Sequence, residues 1–417
     1  MTDRPYQDAV SLGLPPLAAG YRRVLLIVLD GVGIGGANGD GATGVAPATE
    51  APNTLRAVAG AVGGLSLPHL AALGLADLAP TAVRRTGGGE VGGVAMGSSA
   101  RLVPASRGKD SLTGHWELAG LVTDLELRTF PAGFPADFMD RLRRELGRDL
   151  LGGDPAAGTE IIERLGPEHL ASGALICYTS ADSVLQLAAH EDVVAPAELY
   201  ELCRRARRAA VGEYLVGRVI ARPFRGRPGG FERPAGRRRD FSLAPPGPTV
   251  LDGAQATGVE VVTVGKVGDI FAGQGVTRSL PAAGNEAVVG ALNDALAAGP
   301  TPPDRQLLFA NLNDFDTLYG HRRDPAGFAA ALARFDAALG DLLRLVGDGD
   351  LLLITADHGC DPTAAGTDHT REAVPLLIVG AGWPPACFGP VHGLTAAAGL
   401  VSAAFGLQGF NFWPRTG

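Results

Sequence analysis

The sequence is poor in lysine and in net positive charge. Only Lys109 and Lys266 among its 36 basic residues are lysines, so each of them is a candidate for a specific role. The net charge of −8 over 417 residues argues against nucleic-acid and membrane-surface partners, because proteins that bind those surfaces normally carry a basic excess. We therefore expect small-molecule partners, with no nucleic acid and no membrane among them.

Cysteine and long apolar runs are also scarce. The four cysteines lie far apart without a Cys-x-x-Cys pattern, which indicates neither a disulfide framework nor a thiolate zinc site. No apolar run reaches the length of a membrane span, and the first residues lack a basic flank followed by an apolar segment. These absences predict a cytoplasmic protein. The 46% apolar content is sufficient for one large and one smaller domain, each with its own core.

Three apolar runs of strand length are each followed by an acidic residue. The runs occupy residues 23–29, 306–312 and 351–355, and the acids that follow them are Asp30, Asp316 and Asp357. A fully apolar run indicates a strand that is buried on both faces, as in a parallel sheet. Because the carboxyl ends of such strands line one crevice, we expect the three carboxylates to meet there.

Histidines are concentrated in the loop after the third run. Two of the eight in the chain, His358 and His369, lie there beside Asp357. Carboxylates combined with imidazoles suit a divalent ion such as Mn²⁺, Zn²⁺ or Mg²⁺. The alternative is a surface turn with chance acids and histidines, but the concentration of histidine favours a metal site.

A helix is predicted between the second and third strands. Asp324 and Pro325 supply an N-cap and a first-turn residue, and apolar residues then recur in steps of four and three from Phe328 to Val346. We interpret this face as plain core, packed on the sheet as a crossover.

The middle of the chain has a different pattern. It contains predicted helices around residues 136–146 and 197–210, a predicted strand over 214–224, and eight arginines from Arg218 to Arg239. We interpret residues 125–243 as an inserted second domain, residues 22–124 and 244–417 as the core domain, and residues 1–21 as an N-terminal extension. The acidic whole chain favours phosphate recognition by one or two of these arginines over a nucleic-acid patch.

A run dense in functional residue types occupies positions 108–117, Gly-Lys-Asp-Ser-Leu-Thr-Gly-His-Trp-Glu. A hydroxyl attacks phosphorus well as an alkoxide, and a divalent ion holds it in that form near neutral pH. Either Ser111 or Thr113 could serve as nucleophile, with Lys109 and Asp110 as supporting residues. The alternative for each hydroxyl is a structural role as a helix cap.

Several long motifs, in one order, resemble those of phosphopentomutases of the alkaline phosphatase superfamily. The resemblance covers nearly the whole chain after about residue 22, and its motifs lie at residues 28–30, 108–117, 178–183, 217–224, 264–271, 314–324 and 355–361. It implies an α/β fold with an alkaline-phosphatase-like core, in which helices flank a mainly parallel sheet, plus an inserted smaller α/β cap domain.

The resemblance also implies two metal ions, usually manganese. One would be held by Asp30, Asp357, His358 and the nucleophile, and the other by Asp316, His321 and His369. The nucleophile of the family is a threonine at the position of Ser111, where serine keeps the hydroxyl and loses one methyl group. A sugar bisphosphate such as glucose 1,6-bisphosphate would prime this hydroxyl.

For the substrate, the resemblance implies contacts from both domains. Arg218 and Arg233 would bind the distal phosphate, Lys266 would lie beside the substrate, and the sugar would contact Ser180, Asp182 and Val184. The expected reaction interconverts a pentose 1-phosphate and its 5-phosphate, with ribose or 2-deoxyribose as the sugar.

The alternatives are a mutase for another pentose phosphate, a metal-dependent sugar-phosphate phosphatase, and a sugar-phosphate-binding protein with a decayed site. The six metal ligands and the hydroxyl argue against the last of these.

Overall fold

The computed structural model describes residues 20–36, 52–84, 97–180, 182–299, 304–381, 383–407 and 412. The N-terminal extension expected over residues 1–21 lies outside this range except for Gly20 and Tyr21. The chain divides into two compact units, one formed by Met1–Leu125 with Pro245–Gly417 and the other by Glu126–Ala244. Among the described residues, no helix combines the length and the apolar character that a membrane crossing requires.

The described residues contain thirteen strands in two sheets. They are β1 Arg23–Leu29, β2 Ser98–Val103, β3 Leu150–Pro155, β4 Leu175–Thr179, β5 Val184–His190, β6 Arg218–Phe224, β7 Arg239–Ser242, β8 Glu260–Val264, β9 Arg278–Leu280, β10 Gln306–Leu312, β11 Asp350–Thr355, β12 Val374–Gly380 and β13 Cys387–His392.

The first unit is built on an eight-stranded sheet in the order β13-β2-β12-β11-β1-β10-β8-β9. The central strands β1, β10 and β11 are buried along their whole length, because their side chains are covered on both faces of the sheet. Five of the strand pairs are parallel, and only β12 pairs in the antiparallel sense, with β11 and β2. The expected mainly parallel α/β core is therefore confirmed.

Register places the ends of the three central strands side by side. Leu29 of β1 is level with Leu312 of β10, and Val28 is level with Thr355 of β11. At the amino ends of β1 and β11, the buried Arg23 guanidinium donates to both carboxylate oxygens of Asp350 at 2.9 and 2.6 Å. This ion pair supports the register of the two strands, and the residues that follow the strands lie together at the carboxyl ends.

Helices flank this sheet. Those of the first unit are Thr54–Val62, Pro68–Ala72, Leu75–Leu78, Ser111–Leu118, Val250–Ala256, Val267–Ile270, Asn285–Ala298, Pro325–Leu345 and Ala396–Phe405. The helix Pro325–Leu345 begins as predicted, because the Asp324 side chain accepts a hydrogen bond from Gly327 N. Its predicted apolar face is buried from Phe328 to Leu342, and Val346 is the C-cap residue.

The second unit is a five-stranded mixed sheet in the order β3-β4-β5-β6-β7. One face packs against the helices Ala136–Leu146 and Pro196–Ala209, and the other against Gly158–Ser172. The strand predicted from residue 214 begins only at Arg218, and Tyr214 ends a 3-10 turn, Gly212–Tyr214. Its ring stacks on Phe138 at 4.5 Å between centroids and its hydroxyl donates to Asp137, which holds it out of the strand.

Candidate active site

One group of expected metal ligands forms around Asp316. This residue lies on a single π-helical turn, Phe315–Gly320, directly after β10. His321 Nε2 lies 3.3 Å from Asp316 Oδ2, and His369 Nε2 lies 3.2 Å from Asp316 Oδ1. The three side chains present ligand atoms that lie within 4.8 Å of one another, a spacing that one ion can bridge.

A second group forms around His358. Its Nε2 lies 3.4 Å from Asp30 Oδ1 and 3.4 Å from Asp357 Oδ2, and all three residues are buried. Asp316 also lies within 4.8 Å of the Asp30 and His358 ligand atoms, so it stands between the two groups. The structure thus brings together all six residues expected to bind metal.

Hydrogen bonds orient the imidazoles for a cation. The Nδ1 atoms of His321 and His358 face backbone carbonyl oxygens, Thr367 O at 2.6 Å and Gly359 O at 3.1 Å. A carbonyl only accepts, so each Nδ1 carries a proton and each Nε2 is left to face the carboxylate oxygens. A cation between these atoms would bind the Nε2 lone pairs and the carboxylate oxygens together. The donor set therefore fits a divalent ion, in the arrangement usual for metal-bound histidine.

Electrostatics keep these carboxyl groups ionised. Burial alone would raise the pKa of Asp316, but His369 and His321 hold it well below its ordinary value. Burial likewise opposes ionisation of Asp357, and His358 and His115 lower its pKa nonetheless.

The ammonium group of Lys266 lies among the same carboxylates, with Nζ 2.6 Å from Asp30 Oδ2. Burial would lower the pKa of Lys266, but Asp30, Asp316 and Asp357 raise it. This lysine remains charged and partly balances a site rich in negative charge.

The two candidate hydroxyls have different surroundings. Ser111 is the first residue of the helix Ser111–Leu118, and its Oγ lies 3.2 Å from His358 Nε2 and 3.4 Å from Asp30 Oδ1. Thr113 is fully buried, and its Oγ1 donates to Asp110 Oδ2 at 2.9 Å. Asp110 is the N-cap residue and accepts from the backbone of this helix. Only Ser111 faces the ligand cluster.

The helix that carries Ser111 packs tightly on the loop after β11. A Cβ atom added at Gly114 would lie 2.5 Å from Asp357 O, so only glycine allows this approach. Beside the loop, Lys109 Nζ lies 2.6 Å from Asp368 Oδ2. An open cleft of about 720 Å³ is lined by both of these residues and by Asn53, Arg56 and His369.

The expected substrate residues of the second unit lie near the ends of β4 to β6. The Arg218 guanidinium lies 3.6 Å from Asp182 and 3.5 Å from Asp240, and Ser180 Oγ accepts from Asp182 N at 3.4 Å. Val184 is buried, and its carbonyl accepts from Thr179 Oγ1.

Arg233 lies at the start of the helix Gly158–Ser172. A Cβ atom added at Gly158 would lie 2.3 Å from its Nη1 and 2.6 Å from the Tyr178 hydroxyl. Burial raises the pKa of Tyr178, and Arg222, Arg233 and Arg238 oppose that rise by charge. Three guanidinium groups therefore place positive charge near the Tyr178 hydroxyl.

Sequence reasoning missed Glu372. This buried carboxylate accepts hydrogen bonds from Gly35 N at 3.0 Å, Thr54 N at 2.9 Å, Thr54 Oγ1 at 2.7 Å and Thr370 Oγ1 at 2.6 Å. It joins the loop after Asp30 to the loop that carries His369. The only signal was its position three residues after His369.

Sequence reasoning also missed His115 and Asn311. His115 is fully buried and contacts Ser111, Asp357 and Asn311. Asn311 Nδ2 donates to Asp30 Oδ2 at 3.0 Å. An asparagine inside an otherwise apolar strand was the available signal for Asn311.

Comparison with known proteins gives consistent matches. Residues 22–407 match the family model described as the metalloenzyme superfamily. A phosphopentomutase of Caldanaerobacter subterraneus is 46% identical over 86% of this chain and 87% of its own length. One of Syntrophotalea carbinolica is 46% identical over 93% and 96%, and one of Carboxydothermus hydrogenoformans is 47% identical over 86% and 89%.

Proposed function

Because the chain belongs to the phosphopentomutase family of the metalloenzyme superfamily, we propose that this isomerase interconverts ribose or 2-deoxyribose 1-phosphate and the corresponding 5-phosphate. The observation that carries the proposal is the Ser111 hydroxyl at a helix N-terminus, 3.2 Å from His358 and 3.4 Å from Asp30. A hydroxyl at this point is suited to carry a phosphoryl group.

In the proposed reaction, phosphorylated Ser111 donates its phosphoryl group to the free hydroxyl of a pentose monophosphate. The bond from Ser111 Oγ to phosphorus breaks as the bond from the sugar oxygen to phosphorus forms, and the sugar hydroxyl loses its proton. The resulting bisphosphate reorients, and Ser111 Oγ takes the other phosphoryl group while the sugar oxygen that leaves gains a proton. No water is consumed, and the net change is isomerisation.

The chain's residues supply position and charge. The positive end of the helix Ser111–Leu118 favours negative charge on Ser111 Oγ and on a phosphoryl group there. The Lys266 ammonium would attract the phosphate from beside Asp30.

The two ligand groups would hold two divalent ions, which we propose to be manganese and which supply positive charge against the phosphoryl oxygens. A sugar bisphosphate such as glucose 1,6-bisphosphate is the proposed source of the first phosphoryl group.

The second unit is the proposed substrate-recognition domain, and the first unit is the proposed catalytic core. Arg218 and Arg233 would bind the phosphate that is not transferred, since the guanidinium fork matches phosphate oxygens. Ser180 and Asp182 would contact the sugar. Val184 would contact the sugar through its backbone, because its side chain is buried.

The test is product analysis with the manganese-loaded enzyme, primed with glucose 1,6-bisphosphate and supplied with ribose 1-phosphate. We expect ribose 5-phosphate without stoichiometric release of inorganic phosphate. Inorganic phosphate plus free ribose as the products would instead identify a phosphatase, which shares the metal site.

Peptide mass spectrometry of the primed enzyme should find phosphate on Ser111. Ser111→Ala should carry none while it still binds the metals, because its six protein ligands remain. Phosphate on Thr113 would overturn the assignment of the nucleophile.

A further inference from the structure

His115 connects the candidate nucleophile to a metal ligand. It lies one turn after Ser111 on the same helix and has no exposed surface. Its Nδ1 lies 2.8 Å from Ser111 O and 3.0 Å from Asp357 Oδ2. The ring stacks against Phe309 at 5.8 Å between centroids, so packing limits its rotation.

Asn311 extends this connection to a second ligand. Its Nδ2 lies 3.0 Å from Asp30 Oδ2 and 2.7 Å from His115 Nε2. Asp30 Oδ2 also pairs with the Lys266 ammonium, so this oxygen acts as an acceptor. Asn311 must therefore present its amide hydrogens, one to Asp30 and one to His115.

The order of donors and acceptors fixes the imidazole tautomer. Since Asn311 donates to His115 Nε2, that nitrogen is an acceptor and the ring proton lies on Nδ1. Nδ1 can then donate to Ser111 O, with Asp357 Oδ2 close beside it. The donor in each hydrogen bond determines the donor in the next. The series of hydrogen bonds from Asp30 through Asn311 and His115 to Ser111 O therefore has one consistent arrangement of donors and acceptors.

We propose that His115 and Asn311 are positioning residues that hold Ser111 in register with the Asp30, Asp357 and His358 metal group. This inference rests on the proposed function, because it assigns Ser111 and this metal group to one reaction. Within the described residues, neither side chain hydrogen-bonds to His321 or His369. Loss of these hydrogen bonds should therefore weaken the binding of one of the two metal ions and leave the binding of the other unchanged.

The experiment measures manganese binding and turnover in His115→Asn and in Asn311→Ala. Loss of a residue that orients metal ligands typically lowers metal affinity or activity about 10- to 100-fold. We expect one of the two binding steps in a calorimetric titration to weaken by that factor, while the other stays within about twofold. In turnover, kcat should fall with little change in KM, because neither residue contacts the sugar.

His169→Asn is a matched control. His169 is also fully buried, its Nδ1 faces a carbonyl oxygen, Ala174 O, and its Nε2 accepts from a nitrogen donor, His190 N. It belongs to the second unit, whereas the residues of both ligand groups belong to the first. This variant loses a similarly bonded imidazole and should keep both manganese steps.

The double variant His115→Asn/Asn311→Ala supplies the remaining test. If His115 and Asn311 act through the same series of hydrogen bonds, the double variant should lose no more manganese affinity than the more affected single variant. Equal weakening of both steps, or unchanged steps in both single variants, would overturn the inference. Failure of wild-type enzyme to form pentose 5-phosphate would instead reject the proposed function, because the titrations need no sugar.

Discussion

Replacing Lys266 by Met removes an ammonium group that lies beside three buried carboxylates. At 2.6 Å from Asp30 Oδ2, the gross attraction is about 6 kcal/mol at an effective dielectric constant of about 20. Loss of one partner of a buried pair typically costs about 3–5 kcal/mol. The Lys266 side chain is 27% exposed whereas Asp30 is fully buried, so we expect the lower end, about 3 kcal/mol, in metal-free protein.

Bound metal should reduce that cost, because divalent ions then balance the charge of Asp30. If about 1 kcal/mol remains, the difference of about 2 kcal/mol must appear as tighter metal binding, about 30-fold, because the two equilibria form one thermodynamic cycle. The ammonium and the metal compete for the same carboxylate charge. The variant should therefore bind manganese more tightly although it is less stable without it.

The assay is urea unfolding of wild type and Lys266→Met, in EDTA and in saturating manganese, together with a manganese titration. Lys109→Met is the matched control. Its ion pair with Asp368 is exposed, at 45% and 72% of the two side chains, and should contribute less than about 1 kcal/mol in either condition. An equal loss of stability with and without manganese, or weaker manganese binding by Lys266→Met, would refute the reasoning.

Three further predictions concern other parts of the site. His369→Ala should lose one manganese equivalent and turnover without unfolding, as measured by metal analysis and circular dichroism; full occupancy with normal turnover would contradict its assignment as a ligand. Arg218→Lys keeps the charge but loses the fork, so transition-state binding should weaken by about 1.5–3 kcal/mol, measured as kcat/KM; unchanged kinetics would remove Arg218 from the phosphate site. Burial raises the pKa of Glu372, so its contribution to stability is full below the ordinary glutamate pKa and declines as pH rises through the raised value. Glu372→Gln should remove that decline in urea unfolding between about pH 4 and pH 8, and a wild-type pH profile in the variant would show that another group causes it.

The sequence predicted the sheet and its acidic edge because both depend on local patterns. A short, almost entirely apolar run is typical of a buried strand in a parallel sheet. The residues that follow neighbouring parallel strands then lie side by side at the carboxyl ends of those strands. The position of Asp316 between the two ligand groups could not be predicted in this way. It depends on a π-helical turn and on how the neighbouring strands pair, neither of which has a signal in residue type.

Partners inside a motif were equally hard to predict. His115 belongs to the same run as Ser111, but its role depends on an asparagine about 200 positions later in the chain, Asn311, at 2.7 Å. Tyr214 was wrongly predicted to lie in a strand, because the residues around it have a strand-like pattern. Its ring instead stacks on Phe138 and its hydroxyl donates to Asp137, and these contacts hold it outside the strand. Contacts between distant segments decided both cases.

The hydrogen bonds of Glu372 have a consequence for motion near the metal ligands. Its carboxylate accepts the amide hydrogens of Gly35 and Thr54, and also the hydroxyl of Thr370, one residue after His369. If the loop that carries His369 moves away together with Glu372, the N–H groups of Gly35 and Thr54 lose their acceptor and become accessible to solvent. Their hydrogen–deuterium exchange rates would therefore report the opening of a loop more than 300 positions away in the chain.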